Sequence, residues 1–512
     1  MKFRKPDSII IIAKDDNTAD TVCEITEGND YADIYVTSYN KLKWIKLRWD
    51  LKDNEKRSEK VKVLGDAWER SYGDLCWDEI NKDRYMPWYM AVSNGSDSVR
   101  DFNGRKTECF GVGVQAGAFC SWQYDNDCVT LNLDIRNLGA PVELNGRKLH
   151  AARVYFREYL NCSAFDALCE FCKVMSPAPL KTDKIIYGSN NWYYAYGKSS
   201  REEILTDCKI VAELCKENKN MPFMVIDDGW QINNVQAPWT SRESFGNMKT
   251  LADEMSSIGV IPGIWVRFLT DEKFALDMPD EARTRPDKTR LDPTHPATKE
   301  FIKKTINDIN SWGYKLIKHD FSSEDIAGRW GFKMTNGEIV PDGEGFYDKS
   351  KTTAEVVVEF YKLIKETAGE TIILGCNCFS HLCAGLHEIY RTGDDTSGRE
   401  WERTRKMGVN TLAFRLCQNN SFYIVDADCV GIMGLIDFRL NGQWLDLVAN
   451  SGTSLFVSCK PSEYKGEVKS ALEEGFKPAS TQQNKLIPLD WMENITPCEY
   501  LVDGEYKKFN WQ

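Results

Sequence analysis

The chain has 512 residues, of which 42% are hydrophobic and 28% charged, and its formal net charge is -12 at pH 7. A single hydrophobic core rarely organises so many residues, so we expect two or three globular domains. The acidic balance argues against nucleic acid and anionic membrane surfaces as partners, because both attract clustered lysine and arginine.

The sequence contains 17 cysteines. Cys169 and Cys172 form a CxxC pair, but they lie in a segment with helical periodicity, and no second CxxC with nearby histidines completes a zinc site. We therefore interpret the cysteines as small apolar residues of a reducing compartment. The run of four isoleucines near the start is too short for a signal peptide and no long apolar run follows, so the sequence as given is expected to be cytoplasmic.

The first part of the chain has the pattern of an antiparallel β domain. Residues 1–162 contain short alternating stretches such as YADIYVTSY and VTLNLDIRN, separated by clusters of Asn, Asp and Gly. Residues 163–183 then predict one helix and a proline-containing connection to a different architecture.

From residue 184 the pattern changes to apolar runs that alternate with amphipathic helices, which is βα repetition. Eight runs occur, the strand number of a TIM barrel, so we predict an α/β fold with a central (β/α)8 barrel over 184–475. Little room is left for a helix between strands five and six, and 476–512 predicts a small C-terminal β region. The candidate strands are 185–192, 223–230, 261–268, 315–321, 371–377, 388–395, 422–428 and 454–459.

Polar and aromatic residues follow almost every candidate strand. In a TIM barrel these ends form the active site, and carboxylates with indole rings suit a sugar, because acids accept hydroxyl hydrogens and rings cover its apolar face. The sequence therefore predicts a carbohydrate site. Its candidate residues are Trp192, Asp227, Asp228, Trp230, Trp265, Arg267, Lys318, Asp320, Asn377, Arg391, Asp395, Asp426 and Asp428.

Cleavage of a glycoside requires one ionised and one protonated carboxyl group. Lys318 lies two residues before Asp320 and points to the same face of the strand, which favours an ionised nucleophile there. Asp395 lies beside Asp394, whose charge would raise the pKa of its neighbour, which suits an acid. From the residues alone, Asp394 and Asp395 are equally good candidates.

Several structural roles compete with the catalytic ones. Asp320, Asp227 and Asp228 could cap helices or form ion pairs, and the tryptophans could belong to the core. Asp426 and Asp428 are better interpreted as acids that bind rim amides. His381 and His387 lie near acids, so a metal-dependent hydrolase that uses them with Asp394 is a weaker hypothesis, since no HxH or HExxH spacing is present.

A series of motifs between about residues 187 and 430 resembles glycoside hydrolase family 36, the α-galactosidase family, with relatives in raffinose synthases and in family 27. The motifs occur in the order NNWYYAYG, FMVIDDGW, IPGIW, GYKLIKHDF, ILGCN, RTGDDT and DADC. Each motif is weak alone, but the ordered set is specific. The resemblance implies an N-terminal β-sandwich, a central barrel and a C-terminal β domain.

The resemblance also implies roles for individual residues. Asp320 matches the nucleophile, and Asp395, four residues after Arg391, matches the acid/base and so resolves the choice against Asp394. The remaining matches are Asp227 and Asp228 for the 4- and 6-hydroxyls of galactose, Lys318 and Arg391 as substrate-contacting bases, Trp192 as an aromatic wall, and Trp77 of ERSYGDLCW as a residue that leans over the pocket.

Two features depart from the family pattern. Arg267 stands where many members have a small residue or Glu, and the loop NCFSHLCAG lacks their Gly-rich form. An arginine at this position would allow the site to bind an anionic substituent.

The activity implied is that of a retaining, exo-acting hydrolase of terminal α-galactosyl residues, which acts by double displacement on a small oligosaccharide or glycoside without a cofactor or metal. A homo-oligomer is compatible with the sequence. The alternatives within the site are an α-galactosyl transferase, an α-N-acetylgalactosaminidase and a β-L-arabinopyranosidase. A non-catalytic sugar-binding barrel is the alternative from another class.

Overall fold

The computed structural model describes residues 4–53, 55–56, 61–180, 182–285 and 287–512. Small parts of the predicted ranges 1–162, 163–183 and 184–475 therefore lie outside the described residues. Across the described ranges, no helix combines the length and the apolar character that crossing a membrane requires.

The N-terminal region forms two antiparallel sheets of six strands each. Trp49 and Trp122 of the first sheet contact Phe156 of the second, with ring centroids 5.1 and 5.9 Å apart, so the inner faces pack as a β-sandwich. The first sheet contains Ser8–Ala13, Lys41–Asp50, Cys128–Asp134, Phe119–Tyr124, Met86–Pro87 and Val142–Glu143. The second contains Thr21–Glu27, Ala32–Ser38, Lys148–Leu160, Lys106–Val112, Tyr89–Asn94 and Val61–Gly65.

One helix, Ala164–Met175, connects the sandwich to the barrel. The Ser163 hydroxyl caps it by accepting a hydrogen bond from the Asp166 amide. Asp97 of the sandwich accepts hydrogen bonds from the first two amides of the helix and from the indole of Trp491, so one carboxylate ties three regions together.

Eight parallel strands close into a barrel, which confirms the predicted fold class. All of them are almost completely buried, which explains why most of them are predominantly apolar in the sequence. The seventh strand continues beyond its predicted end. The strands are Tyr187–Asn190, Phe223–Ile226, Ile261–Val266, Leu316–His319, Ile372–Gly375, Ile389–Arg391, Ile424–Ile432 and Ser454–Cys459.

Amphipathic helices surround the barrel, and the last of them crosses the predicted boundary at 475. Thr352 and Glu355 form a capping box at the start of one helix, and Gly259 and Gly313 end two others in the left-handed conformation. The long helices are Arg201–Leu214, Met248–Ile258, Pro296–Trp312, Thr353–Ala368, Phe438–Ala449 and Gly466–Ala479. Short helical turns are Trp192–Ala195, Asp280–Ala282, Ser322–Ala327, Gly331–Lys333, Ser380–Cys383, Trp401–Thr404, Arg405–Asn410, Thr411–Arg415, Leu416–Gln418 and Pro461–Glu463.

Between the fifth and sixth strands only the short turn Ser380–Cys383 is present, and the sandwich packs against it. Phe119 contacts Phe379 at 4.8 Å, and Trp88 stacks on His381 at 5.2 Å between ring centroids. The sandwich therefore covers the barrel where a fifth helix would otherwise lie.

Two small sheets complete the fold. Arg283–Thr284 pairs with Arg290–Leu291 in the segment after the third strand. The C-terminal region forms a three-stranded sheet from Leu486–Pro488, Glu499–Val502 and Glu505–Lys508.

Candidate active site

The carboxyl ends of the barrel strands bring most of the predicted polar residues together in a buried, charged cluster. Asp227, Lys318, Asp320, Asn377 and Arg391 are each between 3% and 7% exposed. Such burial is tolerated because the charges are paired and hydrogen-bonded to one another.

Three hydrogen bonds hold the Asp320 carboxylate. The indole of Trp265 donates to Oδ2 at 2.9 Å, the amide of Phe321 donates to Oδ1 at 2.7 Å, and the Asn377 side-chain amide also donates to Oδ1. Phe321 adopts a left-handed conformation with φ of 66°, which directs its amide towards the preceding carboxylate. Lys318, which the sequence suggested as the partner of Asp320, instead forms its ion pair with Asp227.

Trp265→Phe is expected to lower kcat roughly tenfold and to leave thermal stability nearly unchanged. Phenylalanine fills most of the buried indole space but cannot donate to Asp320, so the carboxylate loses one of its three fixed donors. Steady-state kinetics and a melting curve measure the two effects. Trp444→Phe is a control, since Trp444 is equally buried but its indole nitrogen has no hydrogen-bond partner among the described residues. Equal losses of kcat in both variants would show that the indole hydrogen bond from Trp265 to Asp320 does not contribute to activity.

Asp227 and Asp228 occupy the end of the second strand. Asp227 Oδ2 accepts hydrogen bonds from Lys318 and Asn190, both at 2.6 Å. Burial lowers the pKa of Lys318, but the adjacent Asp227 carboxylate outweighs it, so this pKa lies well above its usual value. Asp228 Oδ1 accepts from the Gln231 side chain and the Val235 amide at 2.6 and 2.8 Å, and burial raises its pKa.

Asp395 lies at the mouth of the site, with its side chain 36% exposed. Its Oδ1 is 2.9 Å from Arg391 Nη2 and 3.7 Å from Arg70 Nη1. Burial raises the pKa of Asp395, but the charges of Arg391, Arg70 and Lys318 outweigh burial, so the pKa is lowered. The expectation of a raised pKa for Asp395 is therefore wrong: these cations outweigh burial, and the neighbouring Asp394 is itself paired with Arg70 and Arg403.

Asp426 and Asp428 lie beneath Arg391. Asp428 Oδ2 accepts hydrogen bonds from the Tyr193 hydroxyl and from both the amide and hydroxyl of Thr396, which matches the structural role inferred from the sequence. Burial, and then the charge of Asp428, raise the pKa of Asp426 to about 7. These acids support Arg391 from below, where its Nη1 is 3.6 Å from Asp428 Oδ1.

Two predicted tryptophans lie outside the pocket. Trp230 is completely buried, donates to the carbonyl of Trp265 at 2.9 Å and packs against Trp312 of a barrel helix, so it is a core residue. Trp77 packs edge-on against Trp491 at 5.4 Å and is 7% exposed. It therefore joins the sandwich to the C-terminal region and does not lean over the pocket.

Arg267 does not have the free guanidinium that binding of an anionic substituent requires. Its Nε is 3.0 Å from Asp325 Oδ2 and its Nη2 is 3.2 Å from Glu324 Oε2, both on the turn that follows Asp320. The guanidinium also lies 4.4 Å above the ring of Phe321. Arg267 therefore holds the turn that follows Asp320 in place. Trp192, by contrast, is half-buried and lies just beyond the first barrel strand, and its role as an aromatic wall stays a prediction.

The sequence reasoning missed Arg70 and Glu69, which come from the sandwich and not from the barrel. Arg70 pairs with Asp394 at 2.9 Å and lies 5.0 Å above the ring of Trp330. The local signal in the sequence is limited to the charged pair within ERSYG. A strand or helix pattern does not show that a distant loop reaches the barrel mouth.

The residues of the metal hypothesis do not converge. The His381 Nε2 contacts the carbonyl oxygen of Val112 at 2.7 Å, and burial lowers its pKa to about 4. His387 is buried against Tyr361, and Asp394 is held by two arginines. Within the ranges that the structure covers, no three His, Cys, Asp or Glu residues are arranged to hold a metal ion.

No protein-family profile matches the sequence, and no curated protein matches it either. Solved structures, in contrast, do match its fold. The α-galactosidase TtGalA from Thermus thermophilus, in complex with p-nitrophenyl α-D-galactopyranoside, superposes with a TM-score of 0.63 at 14% identity, over 99% of this chain and 98% of that one. The chain has the fold of the family 36 α-galactosidases.

Two further solved structures have the same fold. The galactosidase domain of the α-galactosidase-sucrose kinase AgaSK gives a TM-score of 0.63 at 15% identity, over 96% of this chain and 73% of that one. A family 36 α-galactosidase from Geobacillus stearothermophilus, in complex with 1-deoxygalactonojirimycin, gives 0.60 at 12% identity, over 94% and 70%. The resemblance to family 36 seen in the motifs is thus confirmed for the fold.

Proposed function

We propose that this protein is a retaining, exo-acting glycoside hydrolase that removes terminal α-galactosyl residues by double displacement. The observation that carries the proposal is Asp320, a buried carboxylate fixed by three donors at the end of the fourth barrel strand. Asp395 lies four residues after the end of the sixth strand and pairs with Arg391 of the charged cluster. The similar structures support the sugar class, since their ligands include p-nitrophenyl α-D-galactopyranoside and stachyose.

In the proposed first step, Asp320 attacks the anomeric carbon while Asp395 donates its proton to the glycosidic oxygen. The carbon–oxygen bond to the leaving group breaks, and a β-linked galactosyl ester forms on Asp320. In the second step Asp395 removes a proton from water, which attacks the same carbon and releases Asp320. Two inversions return the α configuration.

Sugar recognition is assigned to the unfilled hydrogen-bonding groups around this pair. Asp228 Oδ2 accepts no hydrogen bond from the described residues, and Arg391 Nε donates none to them. A carboxylate oxygen can accept hydrogen bonds from the ring hydroxyls of a sugar, and a guanidinium can donate to them. Trp192 would cover the apolar face of the ring.

Substrate binding also explains how Asp395 can act as an acid although its pKa is lowered in the empty site. A sugar hydroxyl that accepts a hydrogen bond from Arg391 weakens the ion pair between Arg391 and Asp395. The leaving group then covers Asp395 and removes water from it. Both changes favour the protonated carboxyl group.

A panel of 4-nitrophenyl glycosides tests the sugar assignment. We expect kcat/KM for the α-galactoside to exceed that for the α-glucoside by roughly 10²-fold or more, because an inverted 4-hydroxyl leaves a buried charged partner unsatisfied. Proton NMR of the first product should show the α anomer. Faster cleavage of the α-N-acetylgalactosaminide or β-L-arabinopyranoside would reassign the substrate, and a first-formed β anomer would exclude retention.

Further measurements separate the remaining alternatives. Product analysis with an excess of a second sugar distinguishes hydrolysis from galactosyl transfer, and binding without turnover would indicate a sugar-binding barrel. We propose that no metal or cofactor is needed, so activity should survive EDTA. A cytoplasmic location is also proposed, since all 17 cysteines are free.

A further inference from the structure

A loop of the sandwich, residues 66–74, lies across the mouth of the barrel, and we call it the strap. Its backbone pairs with the chain immediately before Asp395. The Ser71 amide donates to the Thr392 carbonyl at 2.8 Å, and the Asp394 amide donates to the Ser71 carbonyl at 3.0 Å. The strap therefore runs parallel to the segment that leads from the sixth barrel strand to the proposed acid/base, and its backbone is hydrogen-bonded to that segment.

Further contacts fix the strap on both sides of the pocket. Glu69 accepts hydrogen bonds from the Gly331 amide, at 2.7 Å, and from the hydroxyl of Ser323, which lies three residues after Asp320. Asp66 is paired with Arg415 at 2.9 Å, and both side chains are buried. A loop tied down in this way can hold a side chain in one position relative to the barrel.

That side chain is Arg70, which is only 9% exposed. Its guanidinium lies 5.0 Å above Trp330, with Nη1 2.9 Å from Asp394 Oδ1 and 3.7 Å from Asp395 Oδ1. Asp394 also has a second partner, Arg403. Arg70 is thus more than a counter-ion for Asp394, because its charge is fixed within reach of Asp395.

The surroundings of Asp395 define how much Arg70 contributes. Arg391 is its nearest cation, at 2.9 Å, and Arg403 donates to its backbone carbonyl at 2.8 Å. The other charged or titratable groups that act on it or on its partner Arg391 are Lys318, Cys376, Tyr193, Asp394 and Asp428. Arg391 contacts the sugar in the proposed mechanism, whereas Arg70 comes from the strap and contacts Asp394 and Asp395.

We propose that Arg70 is a positioning residue through which the sandwich domain fixes Asp395 and sets the pH range in which Asp395 works as an acid. The inference rests on the proposed function of Asp395. A unit charge about 4 Å from a carboxylate lowers its pKa by roughly one unit in bulk water and by up to about three units at the lower dielectric constant of a protein surface. Because the Asp395 side chain is 36% exposed, we expect an effect near the lower end of this range. Loss of Arg70 would also remove one of the two cations paired with Asp394. The negative charge of Asp394 would then raise the pKa of Asp395 further.

The test compares Arg70→Met, Arg70→Gln and Arg70→Lys with Arg100→Met, an exposed arginine of the same domain. The basic limb of the kcat/KM profile should move up by about one pH unit in both neutral variants, because Asp395 keeps its proton to higher pH. Arg70→Lys should restore most of the wild-type profile, and Arg100→Met should leave it unchanged. Melting curves show whether each variant is folded.

A second measurement does not depend on turnover. In protein labelled with ¹³C at the aspartate carboxyl groups, the Asp395 signal is identified by its absence in Asp395→Asn, and its titration is followed by NMR. An upward shift of about one unit in Arg70→Met supports the inference even if no α-galactoside is cleaved, in which case only the proposed function fails. Superimposable titrations or pH profiles in wild type and the neutral variants would overturn it, whatever the change in stability.

Discussion

Asp320→Ala is expected to lower kcat for 4-nitrophenyl α-galactoside by about 10³- to 10⁵-fold, because the variant has no group that can form the covalent intermediate. Azide should restore part of the activity. The anion enters the space of the missing carboxylate and attacks the anomeric carbon from the same side, so the product is the β-galactosyl azide. Its configuration, read by NMR, reports the face of attack.

Asp308→Ala is a suitable control for this experiment, since Asp308 is a surface acid whose one ion pair among the described residues is with Lys304 on its own helix. It should keep wild-type kinetics. If Asp320→Ala were folded and fully active, or if azide gave the α product, Asp320 would not be the nucleophile.

Asp395→Ala is expected to reduce kcat/KM by an amount that depends on the leaving group. Melibiose, whose leaving alcohol needs a proton, should lose roughly 10³- to 10⁴-fold, whereas 4-nitrophenyl α-galactoside should lose much less, because nitrophenolate departs without protonation. Kinetics on the two substrates measure the difference. Azide should here give the α-galactosyl azide, since it replaces water in the second step.

Asp394→Ala is the matched control, and it decides between the two neighbouring aspartates. Asp394 is held by Arg70 and Arg403, so its loss should disturb the segment and lower activity on both substrates by a similar factor. A larger dependence on the leaving group in Asp394→Ala than in Asp395→Ala would reverse the assignment. In wild type, the basic limb of kcat should lie at higher pH than that of kcat/KM, because bound sugar draws Arg391 away from Asp395.

The barrel could be predicted from the sequence because its signal is local. A strand buried on both faces is an apolar run, and the polar residues that follow it mark the end at which the site forms. This is why the sequence alone predicts a shared site for Asp227, Lys318, Asp320 and Asn377. The sandwich strands were visible as a pattern, but their pairing was not: Lys41–Asp50 joins Cys128–Asp134 across a long separation.

The errors share one physical cause, which is that a residue's role depends on partners far away in the chain. Arg267 was predicted to face the substrate, but Asp325, 58 residues later, holds its guanidinium. Trp230 follows a strand like a rim residue, yet it packs behind Trp265 against a helix. Arg70 reaches Asp394 from another domain, and no local pattern contains that contact.

The short turn Ser380–Cys383 has a consequence for how the two large domains depend on each other. Since the sandwich packs on this side of the barrel, residues such as Phe379 and Leu382 are fully buried. A barrel without its sandwich would expose this apolar surface to water, leave Arg415 without its carboxylate partner and open the wall beside Asp395. The β-sandwich is therefore not an accessory module: it completes the wall of the candidate site and covers apolar surface that the barrel leaves open.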